Sequence, residues 1–146
     1  MANEAVIVEL MGQPSGVPIR FTCADGVGIE KGTLLWFSDN RTISGASVDC
    51  NLTGKAFAGI AATEKVASDG STTIGVWTKG IFDLTSVAAA GTEGAIGAGH
   101  YVVLSGSNLI ARLKDNATIL SGAVIGKALE DASASEVIQV AIGVYS

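Results

Sequence analysis

The feature that most constrains this chain is a short β-pattern used twice at one spacing. Ile29-Glu30-Lys31-Gly32-Thr33-Leu34-Leu35-Trp36-Phe37-Ser38 and Ile96-Gly97-Ala98-Gly99-His100-Tyr101-Val102-Val103-Leu104-Ser105 share Ile, Gly, four apolar residues and Ser in order, 67 residues apart. Ala56, Gly59 and Ala61 match Ala123, Gly126 and Ala128 at the same offset. Ile74-Gly75-Val76-Trp77-Thr78 matches Ile142-Gly143-Val144-Tyr145-Ser146 at 68, as if a loop had gained one residue. The chain thus reads as one unit used twice, over about 29–78 and 96–146, each a strand, a turn, a strand and a third strand carrying Ile-Gly-Val-aromatic. A lone three-stranded unit exposes two edges and an apolar face. Two of them can close face to face into one barrel or sandwich. Gly75 and Gly143 would lie mid-strand, where glycine marks a close approach between the halves.

The rest of the chain agrees with an all-β fold. Apolar residues alternate or form short solid runs, which are strand patterns. Strands are expected at Val6–Leu10, Val17–Cys23, Thr33–Ser38, Gly54–Ala62, Thr72–Thr78, Gly80–Leu84, Tyr101–Ser105, Asn108–Leu113, Gly122–Leu129 and Glu136–Tyr145. Clusters such as Gln13-Pro14-Ser15-Gly16, Ser68-Asp69-Gly70 and Ser105-Gly106-Ser107-Asn108 supply the turns. Only Thr85–Ala90 reads as helical, so at most one short helix is expected. Residues 1–28 fall outside the repeat and read as an N-terminal arm; 29–146 reads as a single barrel domain.

Composition narrows the function. Hydrophobic residues make up 48% of the 146 positions, yet no run reaches the roughly 20 apolar residues of a membrane helix. The start, Met1-Ala2-Asn3-Glu4, has no basic region leading into an apolar one, so no secretory signal is expected. Nine Lys and Arg are scattered singly against 14 Asp and Glu, which argues against a phosphate-backbone partner. Cys23 and Cys50 have no CxxC spacing and no neighbouring His, so no zinc site is expected. Two buried thiols are the plain reading, with a disulfide left open.

No constellation of catalytic residues emerges. His100, the only histidine, stands where the first unit has Thr33 and reads as a surface residue. Gly91-Thr92-Glu93-Gly94-Ala95-Ile96-Gly97-Ala98-Gly99 lacks the Gly-Lys-Ser/Thr ending of a phosphate loop and precedes a strand rather than a helix. Glu130 and Asp131 are adjacent, so in a strand they point to opposite faces. Trp36 and Trp77 sit inside apolar runs, which favours packing over sugar stacking. No enzyme, cofactor or metal is expected.

The Lys31-Gly32-Thr33-Leu34-Leu35 segment, Phe57-Ala58-Gly59-Ile60-Ala61, Ile74 to Leu84, Ile96 to Val103, Val124 to Glu130 and Val137 to Ile142 together resemble the small phage capsid cement, or decoration, proteins of the DUF2190 type. The resemblance covers about residues 29–146 and is loose before them. It implies a barrel or tulip-like protein without an active site. It also implies assembly, usually as homotrimers, on the outer capsid surface of the virion, with the major capsid protein as partner and no direct nucleic-acid or membrane contact. The strand-like Val6, Val8 and Leu10, followed by the break at Gln13 and Pro14, are the candidate capsid contact, since such an arm can add a strand to a neighbour's edge. The same arm could instead complete the chain's own barrel. The rival function is a carbohydrate-binding or adhesin-like module of a phage tail or fibre, which needs an exposed Trp36 or Trp77. A biotinyl or lipoyl carrier is disfavoured because Lys127 lies within a strand, in Gly-Lys-Ala.

Overall fold

The structure is a computed structural model and describes residues 3–10, 18–45, 53–87, 95–114 and 120–143. Eleven strands lie within them: β1 (Val6–Leu10), β2 (Ile19–Thr22), β3 (Leu34–Asp39), β4 (Thr42–Gly45), β5 (Phe57–Ala61), β6 (Thr73–Trp77), β7 (Gly80–Thr85), β8 (Tyr101–Ser105), β9 (Leu109–Arg112), β10 (Val124–Ala128) and β11 (Val137–Ile142). β2-β4-β3-β5-β6 form a closed barrel, and a six-stranded sheet runs β1-β7-β11-β10-β8-β9. That sheet also returns on itself, because a parallel bridge joins Ser86, just after β7, to Ile110 of β9. Its counterpart in the first barrel is the parallel pair Thr22–Thr42 between β2 and β4.

Setting β1 aside, the two halves have the same cyclic strand order, with β2, β4, β3, β5 and β6 matched by β7, β9, β8, β10 and β11. The register repeats pair by pair. Leu34–Ile60, Leu35–Gly59 and Trp36–Phe57 in β3–β5 become Tyr101–Lys127, Val102–Gly126 and Val103–Val124 in β8–β10, with the bulge at the same place. Outside the strands, the bridge Ile29–Lys65 recurs as Ile96–Ala132. The all-β class is therefore as expected, but each half closes largely on itself. The expected single closure of two three-stranded units does not occur, because β2 and β7 give each half its fifth strand.

The match at 68 is also corrected. Ala61 pairs with Val76 and Ala128 with Val140, so β6 and β11 are equivalent at an offset of 64. The second unit has lost three loop residues here instead of gaining one. Buried Ile74 and Val76 thus correspond to buried Ile138 and Val140, and Trp77 corresponds to Ala141, not Tyr145. Gly75 has Gln139 as its counterpart, and Gly143 follows β11, so neither marks a shared close approach. The glycines that do are Gly59 and Gly126, in the adjoining strands. A Cβ at Gly59 would lie 2.5 Å from the Trp77 carbonyl oxygen, and one at Gly126 would collide with the carbonyl oxygen of Ala141. Backbone cannot yield as a side chain end can, so both positions exclude any larger residue. The helix expected at Thr85–Ala90 is not formed at its start: Thr85 ends β7 and Ser86 is in the closing bridge. Residues 88–90 lie outside the described residues.

Among the described residues two clusters make up the core. Cys23, Ile29, Leu35, Ile43, Ala58, Ala61, Ile74 and Val76 fill the first barrel. The second cluster gathers the inward residues of β7–β11 together with Leu34 and Ile60 from the first unit. Those two project from β3 and β5 away from their own barrel and so join the halves. The equivalent residues of the second unit, Tyr101 and Lys127, are only partly buried, and the Lys127 ammonium lies 5.4 Å from the Tyr101 ring centroid. The same two positions are apolar where the units meet and amphipathic where the surface is free.

Gly126→Ala is expected to lower unfolding free energy by about 3 kcal/mol, the upper range for overpacking a closed site. Gly26→Ala, where an added Cβ meets nothing within 4 Å, should change it by less than about 0.5 kcal/mol. Urea titrations of the two variants check this, and equal effects would refute the close-approach account.

Candidate interaction surface

β1 has no equivalent in the other unit. It pairs antiparallel with β7, Val6 opposite Asp83 and Leu10 opposite Gly80, and forms the edge of the six-stranded sheet. The register shifts between Ile7 and Glu9, leaving Val8 as the extra residue of a bulge. Val6 is 59% exposed, Val8 39% and Ile7 36%, an unusual run of apolar surface for an edge strand. Directly opposed residues share a face. Val6 therefore lies on the outer face with Asp83, as does Val137, which opposes Thr85 and is 63% exposed. Of the candidate contact residues, Val6 and Val8 are thus exposed on this strand. Leu10 is its last residue, and Gln13 and Pro14 lie outside the described residues.

The seat of β1 exists in the second unit and is blocked in the first. The equivalent edge belongs to β2, where Ile81 is replaced by Pro18, which has no N–H to donate. The Arg20 carbonyl on β2 is taken by Arg41, whose Nε and Nη2 donate at 3.3 and 3.2 Å. In the second unit Asn108 stands where Arg41 does. Its side chain turns inward instead, and its Oδ1 accepts the buried Leu34 N–H at 2.8 Å. Proline and a capped carbonyl are devices that stop strand addition. They leave β7 as the edge that can take β1, a signal that comparison of the two halves reveals and neither half alone contains.

The polar residues mostly secure turns. His100 Nδ1 accepts the Gly97 N–H at 2.9 Å, and Asp131 Oδ1 accepts the Ala98 N–H at 2.8 Å. Glu136 accepts from the Ser133 N–H and hydroxyl, both at 3.2 Å. His100 is exposed, as expected, and its described hydrogen bond is to backbone and not to a nucleophile. Among the described residues no three His, Cys, Asp or Glu are grouped to hold a metal ion. Cys23 is free and buried, and burial pushes its thiol above the ordinary value despite the pull of Lys65. Cys50 lies outside the described residues. Trp36 and Trp77 are half-buried against the larger core cluster, and the Lys55 ammonium lies 4.0 Å from the Trp36 ring centroid. Both indole nitrogens are buried without a hydrogen-bond partner. A sugar-stacking platform would need those rings open.

Among the described residues one charged side chain is buried. Lys65 is 4% exposed, and its ammonium donates to the Asp25 carbonyl at 2.7 Å and lies 3.4 Å from Asp69 Oδ1. It stitches the 25–28 loop to the 65–69 turn at one end of the first barrel.

A family model described as phage cement protein matches residues 13–144. The chain belongs to the phage cement protein family. No curated protein matches it. The family places it among structural, virion-associated proteins. β1 precedes the matched segment, whereas all ten strands of the two repeated units fall within it. The exposed apolar strand thus lies outside the matched segment.

Lys65→Ala, which copies Ala132 of the other unit, removes a charged donor from the Asp25, Val27 and Val66 carbonyls and should cost about 1–3 kcal/mol in urea unfolding. Asp69 adds a pH term. The Ser71 N–H, with Lys65 beside it, holds its carboxyl below the ordinary 3.8. A lowered folded value means the contribution is complete above the ordinary value and is lost as pH falls through the folded one. Asp69→Asn should lack that acid-side loss, and an unchanged stability-versus-pH curve would count against it.

Proposed function

We propose that the protein decorates the outer surface of an icosahedral phage capsid, as homotrimers bound to the major capsid protein, and so stabilises the expanded shell. The family match over residues 13–144 carries this reading. The exposed apolar strand β1 supports it by supplying a surface with a physical reason to be covered.

The mechanism is multivalent. One chain's contact can be weak, because a trimer engages several capsid subunits at once and high effective concentration raises avidity about 10²–10⁴-fold. Binding the expanded shell in preference to other states stabilises it by mass action. The chain offers the shell a stiff body, with a closed barrel, a second sheet bridged back on itself and turns held by side-chain caps. Little ordering entropy is then spent on docking. β1 presents Val6 and Val8 to the capsid subunit along an edge whose backbone can accept a further strand.

The protein should co-sediment with empty expanded heads and raise their melting temperature. Val6→Asp/Val8→Asp, both on exposed positions, should fold normally and bind at least tenfold more weakly. A wild-type protein that fails to co-sediment would refute the proposal, and a double variant that binds fully would remove β1 from the contact.

A further inference from the structure

The two units carry the same β-turn, and one copy has an occupant. In the first unit the turn is Glu30-Lys31-Gly32-Thr33, closed by the Thr33 N–H to the Glu30 carbonyl at 3.2 Å. In the second it is Gly97-Ala98-Gly99-His100, closed by the His100 N–H to the Gly97 carbonyl at 3.0 Å. The third residue is glycine with φ 87° and 88°, as a type II turn requires. Each glycine N–H is tied to the adjoining strand, Gly32 to the Ala61 carbonyl at 2.9 Å and Gly99 to the Ala128 carbonyl at 2.8 Å.

The first turn is covered by the segment leading into β1. The Ala5 N–H donates to the Gly32 carbonyl at 2.6 Å. The Ala5 carbonyl oxygen lies 2.5 Å from where a Cβ on Gly32 would be. Over Gly99 the same position meets nothing within 4 Å, and Ala98, Gly99 and His100 are exposed. Beside this turn opens a depression of about 530 Å³ lined by Ile96, Gly97, His100, Asp131, Ala132 and Glu136, among others. In the first unit the residue equivalent to Ala132 is Lys65, whose ammonium is turned to the Asp25, Val27 and Val66 carbonyls. Asp131 accepts the Ala98 N–H from the Gly97–His100 turn, and Glu136 accepts from Ser133 within its own turn. Carboxylate oxygens keep further acceptor capacity beyond those bonds, and among the described residues no lysine or arginine lines the depression.

We infer that the Gly97–His100 turn is a second docking seat, taking an extended segment of the capsid subunit that lays a small residue over Gly99 and a basic side chain between Asp131 and Glu136. The inference rests on the cement reading and identifies a contact remote from the β1 strand in sequence. The chain's own Ala5 on the equivalent turn supplies the backbone geometry of the occupant, and the Asp131 and Glu136 carboxylates, with no lysine or arginine beside them among the described residues, favour a basic side chain.

Two variants test it on expanded heads by co-sedimentation. Ala98→Trp fills the seat from an exposed turn position, and Asp131→Asn/Glu136→Gln removes the charge while keeping one acceptor oxygen on each side chain and an amide N–H that can donate to the Ser133 hydroxyl. Each should weaken binding about tenfold with the melting temperature of the free protein unchanged, and the charge variant should also bind with less dependence on salt. Full binding by both variants alongside wild-type binding overturns the seat and leaves the cement reading standing. Absence of binding by the wild type overturns that reading and this occupant together. If Ala98→Trp melts early, Ala95→Arg, on the exposed rim of the same depression, replaces it with the same two outcomes.

Discussion

Everything in this molecule depends on how two self-contained units are held to one another, because strands closed within a barrel cannot be shared. The most buried part of the junction is Leu34 and Ile60, which leave their own barrel and enter the core cluster of the second unit, with Trp36, Phe57 and Trp77 packed against it. Full burial of two such side chains is worth roughly 3–6 kcal/mol, at about 1.5–3 each. That is a large share of the roughly 5–15 kcal/mol by which a domain of this kind is stable. The burial also takes the Leu34 amide out of water, and Asn108 resolves that cost from the other unit. Asn108 reaches it from a backbone with φ 64°, a conformation that asparagine tolerates better than most residues. Arg41, its equivalent, has φ 45° and instead seals an edge. One turn geometry has thus been used once as a junction and once as a guard.

Much of this was legible in the sequence, and the misses have physical causes. The offset of 67 holds through β3, β4 and β5 because these strands and their bulge are held in one register. β4 itself was missed, since Thr42-Ile43-Ser44-Gly45 is short and polar. Its equivalent Leu109–Arg112 was expected as a strand, so applying the offset consistently would have located it. The assignment at 68 failed because Ile-Gly-Val recurs by resemblance of composition, while the register of β6 and β11 is set by pairing with β5 and β10. Barrel closure left no pattern to read. It rests on one parallel pair in each half, between residues about 20 apart in sequence, and periodicity says nothing about such contacts.

The candidate surface was partly legible for a similar reason. Alternating apolar residues identified β1 as a strand, and its position outside the repeat marked it as a special segment. Whether it would serve the chain's own sheet or a neighbour's could not be read from those residues. The structure shows it on β7, which meets the first alternative, while its outer edge and three valine and isoleucine side chains remain exposed, which keeps the second open. The deciding residues lie elsewhere: Pro18 and Arg41 deny the equivalent edge of the first unit, and Ile81 and Asn108 permit it in the second. No local motif carries that information. It emerges only when equivalent positions are compared across the two halves.

Duplication followed by divergence also shows in the carboxylates that cap turns. Asp131, Glu136 and His100 are held to nearby backbone or to their own turn, which stiffens the surface on which they sit. A stiff surface loses little freedom when it binds, so shallow contacts can contribute to avidity. Two copies of one turn then provide two chances to bind an extended segment. The N-terminal segment occupies the first, and over Gly99 of the second nothing lies within 4 Å of where a Cβ would be. The asymmetry that joins the units at Leu34 and Ile60 is of the same kind. In each case a position retained by the repeat acquires a role through what its neighbour no longer supplies.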